Sequence, residues 1–371
     1  MVAPLAGLRV IELARVLAGP WIGQTLADLG AEVIKIEGPK GDETRHWGPP
    51  YIEVDGEDMS AYFASCNRGK TSLIADFSKE EDRQKVMDLI ASADILIENF
   101  KVGGLQKYGL DYESLSARFP ALIYASVTGF GQDGPYAHRA GYDYLIQAMS
   151  GLMDITGDPQ GPPQKIGVAF TDIFTGLYGV IGIQAALRHR DLTGEGQHID
   201  LSLLDSTIGV LANQGANYLA TGHSPKRMGN AHPNICPYAA FPVADGHIII
   251  AVGNDSQFAN LCDILGLSAC QSDERFATNQ ARVSNRDVLT ALIEAKTSLI
   301  TQDALLASCE ASGVPAAPIN TIGQIFEDPQ VKHRSMVVTT DDVTTVRTPL
   351  RFSKSTLSLT KRPPKLGEGE V

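Results

Sequence analysis

Cysteine is scarce and ungrouped in this chain: five in 371 residues, at Cys66, Cys236, Cys262, Cys270 and Cys309, an odd number with no CxxC pair. That pattern argues against a disulfide framework and against a zinc site. His232 and Cys236 stand four apart, but two ligands do not hold a metal, and none is expected. Long apolar runs are also missing, since no uninterrupted stretch approaches the roughly 18 residues of a membrane span. The segment Met1 to Arg9 lacks the basic and apolar regions of a signal peptide, so the sequence reads as cytoplasmic, with no membrane partner. Positive charge is short: 31 Lys and Arg stand against 43 Asp and Glu, a formal net charge of −12. With no basic stripe, a nucleic-acid partner is excluded. A small anionic ligand needs only local cations, and Arg15, Arg45, Arg68, Lys70, Lys107 and Arg139 supply them early in the chain.

Several familiar site motifs are incomplete. The stretch Ala14 to Pro20 stands where a dinucleotide-binding fold carries GxGxxG, and Glu37 stands where that fold places its ribose-binding acid. Gly19 is its single glycine, so the backbone cannot approach a pyrophosphate in that manner. Gly69-Lys70-Thr71 resembles the tail of a P-loop, but Ala64 occupies the place of the required first glycine. No GxSxG elbow is present, and Cys66 has no evident histidine partner.

What is there is an alternation of strand and helix signals in a chain that is 43% hydrophobic and 20% charged. Arg9–Leu13, Ala31–Glu37, Asp94–Asn99 and Leu122–Val127 read as buried strands, with a helix closed by Gly30 and another over Glu80–Ala91 between them. This predicts an α/β domain with a parallel sheet, whose ligands bind beyond the carboxyl ends of the strands. A long helix is expected from Thr171 to about His189, and a glycine-rich turn at Thr193–Gln197 leads into His198–Ser202. Ser224–Pro237 reads as a connecting loop, and from Tyr238 a strand pair around Asp245-Gly246 and then helices suggest a smaller α+β domain. The expected boundaries are 1–224, 225–325 and 326–371.

Asp172 lies in Val168-Ala169-Phe170-Thr171-Asp172-Ile173-Phe174-Thr175-Gly176, a carboxylate entering an apolar run with no nearby His, Ser or Cys. Burying such a charge costs several kcal/mol unless something compensates. Two readings are open: a carboxylate meeting the free N–H groups of a helix start, or one with a chemical task. On residue chemistry alone the helix-end reading is the simpler.

A set of ordered segments resembles the class III CoA-transferases, the family that includes formyl-CoA and carnitine-type CoA-transferases and the α-methylacyl-CoA racemases. The segments are Arg15–Pro20, Gly30–Glu37, Gly41–Arg45, Asn67–Lys70, Glu98–Phe100, Gly129–Gly131, Ala140–Asp143, Asp172, Thr193–Gln197 and Gly229–Pro233. The resemblance implies that Asp172 is the nucleophile, attacking a thioester to give a mixed anhydride and then an aspartyl thioester. It sets Val16, Leu17 and Ala18 against CoA, with Ala75, Asn99 and Phe100 as further contacts. Lys107 stands where the family places an arginine on a phosphate, and Arg45 and Arg139 are further phosphate partners. Leu17 replaces a glutamine of the formyl-CoA transferases, and Gly38 replaces a family arginine. Gly229 and Asn230 occupy the place of the loop that covers the aspartate. Tyr142 stands in Ala140-Gly141-Tyr142-Asp143 where racemases carry a histidine; a phenol is a poor base for proton abstraction, which favours transfer.

The family also implies a Rossmann-like large domain, to which the C-terminal segment returns, and an interlocked homodimer. CoA and acyl-CoA enter as substrates with no tightly bound cofactor. The expected reaction moves CoA to a free carboxylic acid, with succinyl-CoA or another dicarboxylyl-CoA as donor. The rival readings are an acyl-CoA racemase or epimerase of the same family and a non-catalytic acyl-CoA-binding protein.

Overall fold

The computed structural model describes residues 2–369. The chain opens with β1 (Arg9–Glu12), α1 (Ala18–Asp28), β2 (Glu32–Glu37) and the hairpin β3 (Tyr51–Val54) and β4 (Glu57–Ser60). There follow α2 (Ala61–Cys66), β5 (Lys70–Ile74), α3 (Glu80–Ile90), β6 (Ile95–Glu98), α4 (Tyr112–Arg118) and β7 (Ile123–Thr128). Beyond these come α5 (Asp143–Met149), α6 (Leu152–Ile155), α7 (Phe170–Thr193), β8 (His198–Ser202), α8 (Leu203–Gly209) and α9 (Ala212–Thr221).

β1, β2, β5, β6, β7 and β8 form one sheet in the order β5-β2-β1-β6-β7-β8, every neighbouring pair being parallel. Alternation along the strands divides the core. Val10, Val33, Ile95, Ile97, Ile123 and Ala125 face one side, where Ile22, Leu26, Ile183 and Leu187 of α1 and α7 cover them. Ile11, Ile34, Ile36, Leu96 and Tyr124 face the other, under Val86, Met87 and Ile90 of α3 and Leu115 of α4. Both faces are buried, so the central strands read as near-continuous apolar runs rather than alternating ones. Strand order reverses between β1 and β6, and loops leaving such a switch point open a crevice at the carboxyl edge.

α7 is long and apolar enough by length and composition to cross a bilayer. The strict count of consecutive apolar residues passes over it, because Asp172 and small polar residues interrupt the run. Its inner side packs on α1, α5, α8 and β8, the arrangement of a core helix.

The chain divides into two compact units. The one just described takes residues up to Leu152, then Lys165–His223, then Pro329 onward. Its last part contributes α15 (below) and a two-stranded sheet, and Gly369 donates its N–H to Ser72 O at 2.9 Å along the β5 edge, which blunts that edge. The second unit takes Met153–Gln164 with Ser224–Asp328, an excursion at 153–164 that sequence texture does not reveal. It holds the antiparallel sheet of β9 (Tyr238–Val243), β10 (Gly246–Ala251) and β11 (Ala316–Pro318), with α10 (Asp255–Leu265), α11 (Asn279–Ser284), α12 (Arg286–Thr297), α13 (Gln302–Ala311) and α14 (Ile322–Glu327). Its own core gathers Phe241, Ile248, Ile250, Phe258, Leu261, Leu289 and Ile293. α15 (Pro329–His333), β12 (Val337–Thr340) and β13 (Val343–Val346) complete the chain.

Candidate active site

At the switch point lies a cavity of about 190 Å³, lined on one side by Arg15, Val16, Leu17 and Ala18 after β1 and on the other by Asn99, Phe100, Lys101 and Val102 after β6. Thr128 and Gly129 at the end of β7, the loop Arg139–Asp143 and Asp172 close it. The loop reaches the cavity because Gly129 and Gly141 touch backbone to backbone: a Cβ on Gly129 would stand 2.4 Å from Gly141 Cα. No residue larger than glycine fits there.

Asp172 is the third residue of α7, whose N-cap, Ala169, offers no side chain to the helix start. The cap comes instead from Asp143, whose Oδ1 accepts the Thr171 N–H and the Thr171 hydroxyl, each at 2.8 Å. Gln147 Nε2 donates to Asp143 Oδ2 at 2.8 Å and Gln147 Oε1 accepts Ile166 N–H at 2.9 Å, so the capping carboxylate is itself held. The helix-end task therefore falls to Asp143. Among the described residues the Asp172 carboxylate has no hydrogen-bond donor or cation partner. Burial, and secondarily the charge on Asp143, push its pKa up to about 7, the signature of a desolvated carboxylate in a cleft.

The sequence-derived candidates separate into groups. Val16, Leu17, Ala18, Asn99, Phe100, Arg139, Tyr142 and Asp172 come together around the cavity. Asn99 does so with its amide already committed: Oδ1 accepts Arg15 N–H at 2.9 Å and Nδ2 donates to Arg15 O at 2.7 Å. Arg139 stacks over Tyr136, 4.0 Å from the ring centroid. Arg45 lies away from the cavity walls, its guanidinium taken by Glu37 at 2.6 and 2.8 Å and by Pro364 O at 3.1 Å, over the Phe63 ring. Ala75 is buried, its N–H donating to Glu37 O at 2.8 Å. Lys107 is exposed beside Tyr108, and neither of these two lines the cavity. Gly229 and Asn230 belong to the second unit, on an exposed loop where Gly229 N–H donates to Gly157 O at 3.1 Å. Tyr142 caps α5 with extended backbone and is 57% exposed. Sequence reasoning passed over Lys101, although it follows directly on Asn99-Phe100 at the end of β6. Burial pushes the Cys66 thiol up to about 12, which removes it as a nucleophile.

An unpaired carboxylate, a cleft at the sheet's switch point and the basic side chains of Arg15, Lys101 and Arg139 form, in an α/β fold, a site suited to an anionic ligand. Comparison with known proteins gives the family: residues 5–370 match CoA-transferase family III, and the chain belongs to it. It is 56% identical over 376 residues to a succinate–glutarate CoA-transferase of Agrobacterium fabrum, covering 99% of this chain and 94% of that one. It is 40% identical over 373 residues to the human succinyl-CoA:glutarate CoA-transferase, covering 99% and 84%. A crystal structure of a CAIB/BAIF family protein from Brucella suis superposes with a TM-score of 0.91 at 61% identity, covering 99% and 97% of the two chains.

Proposed function

We propose that this CoA-transferase carries CoA from succinyl-CoA to a dicarboxylic acid such as glutarate, with Asp172 as nucleophile. The observation that carries the reading is the carboxylate of Asp172, desolvated and without a hydrogen-bond donor, beside a cavity walled by Lys101, Arg139 and Arg15, the last paired with Glu43 at 3.2 Å. A carboxylate with no donor to quench it is a better nucleophile than a solvated one.

Asp172 attacks the thioester carbonyl, and the C–S bond breaks to give an aspartyl–succinyl anhydride and CoA thiolate. The thiolate attacks the aspartyl carbonyl, expelling succinate and leaving CoA on Asp172 as a thioester. The acceptor carboxylate attacks that carbonyl, releasing the thiolate and forming a second anhydride. The thiolate then takes the acceptor's acyl carbon and Asp172 leaves as a free carboxylate. No step needs a proton or an external base, which suits a cavity that no histidine lines among the described residues. The uncapped start of α1 at Leu17 and Ala18 offers backbone N–H groups on the wall, the kind of donor that stabilises an oxyanion.

The reading includes a Rossmann-like large domain of residues 1–224 and 326–371 with a smaller one at 225–325, supported by the strand order and by the break between compact units after His223. It includes an interlocked dimer as well. Leu177, Tyr178 and Ile181 on α7 and Tyr144, Leu145 and Met149 on α5 are all at least 40% exposed, and a grouping of large apolar side chains of this kind marks an interface.

The test is a matrix of acyl-CoA donors against mono- and dicarboxylic acceptors, with mass spectrometry of the Asp172 peptide after incubation with succinyl-CoA alone. A CoA thioester on that peptide supports the mechanism. Full turnover by Asp172→Ala would remove it.

A further inference from the structure

The cavity wall contains a residue whose side chain opposes its backbone. Val16 is β-branched yet sits at φ 70°, a left-handed conformation that such residues avoid unless the surroundings impose it. Two side chains hold the backbone around it. On one flank Asn99 holds both backbone polar groups of Arg15. On the other, Asp42 Oδ2 accepts the Val16 N–H at 3.2 Å.

Asp42 is buried and cannot swing away. Its Oδ1 accepts Thr44 N–H at 3.0 Å and the Thr44 hydroxyl at 2.8 Å, and Lys35 Nζ lies 3.0 Å from its Oδ2. Lys35 also donates to Ala14 O at 2.7 Å and to Glu12 at 3.1 Å. Glu12 in turn accepts from Lys70 at 2.9 Å, and Gly23 leaves the room its carboxylate needs, since a Cβ there would fall 1.8 Å from Glu12 Oε2. Glu37 extends the set, accepting Asp42 N–H at 2.8 Å and pairing with Arg45. Glu12, Glu37 and Asp42 thus balance Lys35, Lys70 and Arg45. Such a buried array is a poor source of net stability compared with apolar packing, so its value lies in what it fixes. What it touches at its outer end is the loop before α1.

We propose that Asp42 is a positioning residue for the acyl-CoA loop, forcing Val16 into its left-handed backbone so that Leu17 and Ala18 face Asp172 before substrate arrives. This rests on the reading of the cavity as the acyl-CoA site. Asp42→Asn keeps the shape but turns an amide N–H₂ toward Val16 N–H and Lys35, breaking the hold. Val16→Gly supplies a residue that takes positive φ without being forced.

The experiment is a double-mutant cycle of these two substitutions, read by calorimetric Kd for free CoA and by KM and kcat with succinyl-CoA. Asp42→Asn in the wild-type background should raise Kd and KM roughly tenfold, and in the Val16→Gly background by less than threefold. Equal penalties in both backgrounds, with wild-type protein binding CoA, would overturn the clamp alone. A wild-type protein that binds no CoA would overturn the functional reading and the clamp with it. If Asp42→Asn does not accumulate as folded protein, Thr44→Val, which keeps the shape but removes the hydroxyl that fixes Asp42 Oδ1, replaces it in the same cycle with the same two outcomes.

Discussion

Asp143 and Asp172 divide between them two tasks that a single carboxylate at a helix start would combine. Asp143 takes the Thr171 N–H and hydroxyl and so caps α7 from outside the helix, which leaves Asp172 one residue later with no donor of its own. Its charge also contributes to holding the Asp172 pKa near 7, after the larger effect of burial. The proposed nucleophile is thereby kept basic and unquenched by a neighbour whose own oxygens are held by Thr171 and Gln147.

The pH dependence follows. Below about 7 Asp172 is mainly protonated in the free enzyme, so kcat/KM for succinyl-CoA should rise about tenfold per pH unit toward that value and level off above it. Asp143→Asn retains an acceptor for Thr171 but removes the like charge. Its break should move to lower pH while staying above the ordinary aspartate value of about 3.9, because the larger cause, burial, remains. An unmoved break in that variant would dissociate Asp143 from the ionisation of Asp172.

Stability should carry the opposite sign. A carboxyl whose folded-state pKa is raised binds its proton more tightly when folded, so its contribution is fullest below about pH 4 and is lost as pH rises toward 7. Asp172→Asn should therefore melt near the wild-type temperature at pH 4 and several degrees above it at pH 8, while losing transfer activity by at least about a thousandfold. Thermal melts at the two pH values check this, and a stabilisation that is constant with pH would contradict it.

Much of this arrangement was legible in the residues. The alternation of buried strands with helices gave the parallel sheet, and Asp172 stood out because no partner accompanied it, although on residue chemistry alone the simpler reading was a helix-end carboxylate, a task that falls to Asp143. The β1 and β6 loops converge because strand order reverses between them, a three-dimensional fact that leaves only the separate segments Arg15–Pro20 and Glu98–Phe100 in the sequence. The roles of the charged and polar side chains are less legible in the residues. Arg45 has the residue type of a phosphate ligand, but Glu37, eight residues earlier, meets it only once β2 and the following turn are folded. Asn99 likewise offers an amide to any ligand until Arg15, 84 positions away, claims it. Asp143 could be recognised as a cap only after the loop of 129–141 had closed.

Those distinctions separate the cations experimentally. Arg45 is nearly enclosed, with 11% of its side chain exposed and Glu37 fully buried opposite. Arg45→Ala should cost about 3–5 kcal/mol of stability by leaving the buried array with one negative charge in excess, although Glu37 keeps the Asp42 N–H and the Ser72 hydroxyl. Lys101→Ala and Arg139→Ala, at exposed positions on the cavity, should change stability by less than about 0.5 kcal/mol and raise KM for succinyl-CoA several-fold, the increase shrinking at high salt. Denaturant melts alongside steady-state kinetics decide the matter, and a KM effect confined to Arg45→Ala would reverse these roles.

Gly129 and Gly141 offer the severest steric test. Each would place a Cβ within 2.4 Å of the other's Cα, far inside any contact that side chains tolerate, and neither neighbour has a flexible end that can yield. Gly141→Ala must push the chain off Gly129, displacing Tyr142 and the Asp143 carboxylate from the start of α7. Because the sheet core does not depend on that loop, the protein should still fold, at a cost of about 1–3 kcal/mol. Activity should fall much further, through kcat more than KM, since Asp172 loses its fixed place while the cavity walls after β1 and β6 stay put. Gly134→Ala, in the same loop at φ 83° with nothing within 4 Å, supplies the control: its cost is backbone strain of about 1 kcal/mol, with kcat unchanged. Equal losses of kcat in the two variants would mean that loop mobility, rather than the Gly129–Gly141 contact, sets the position of Asp172.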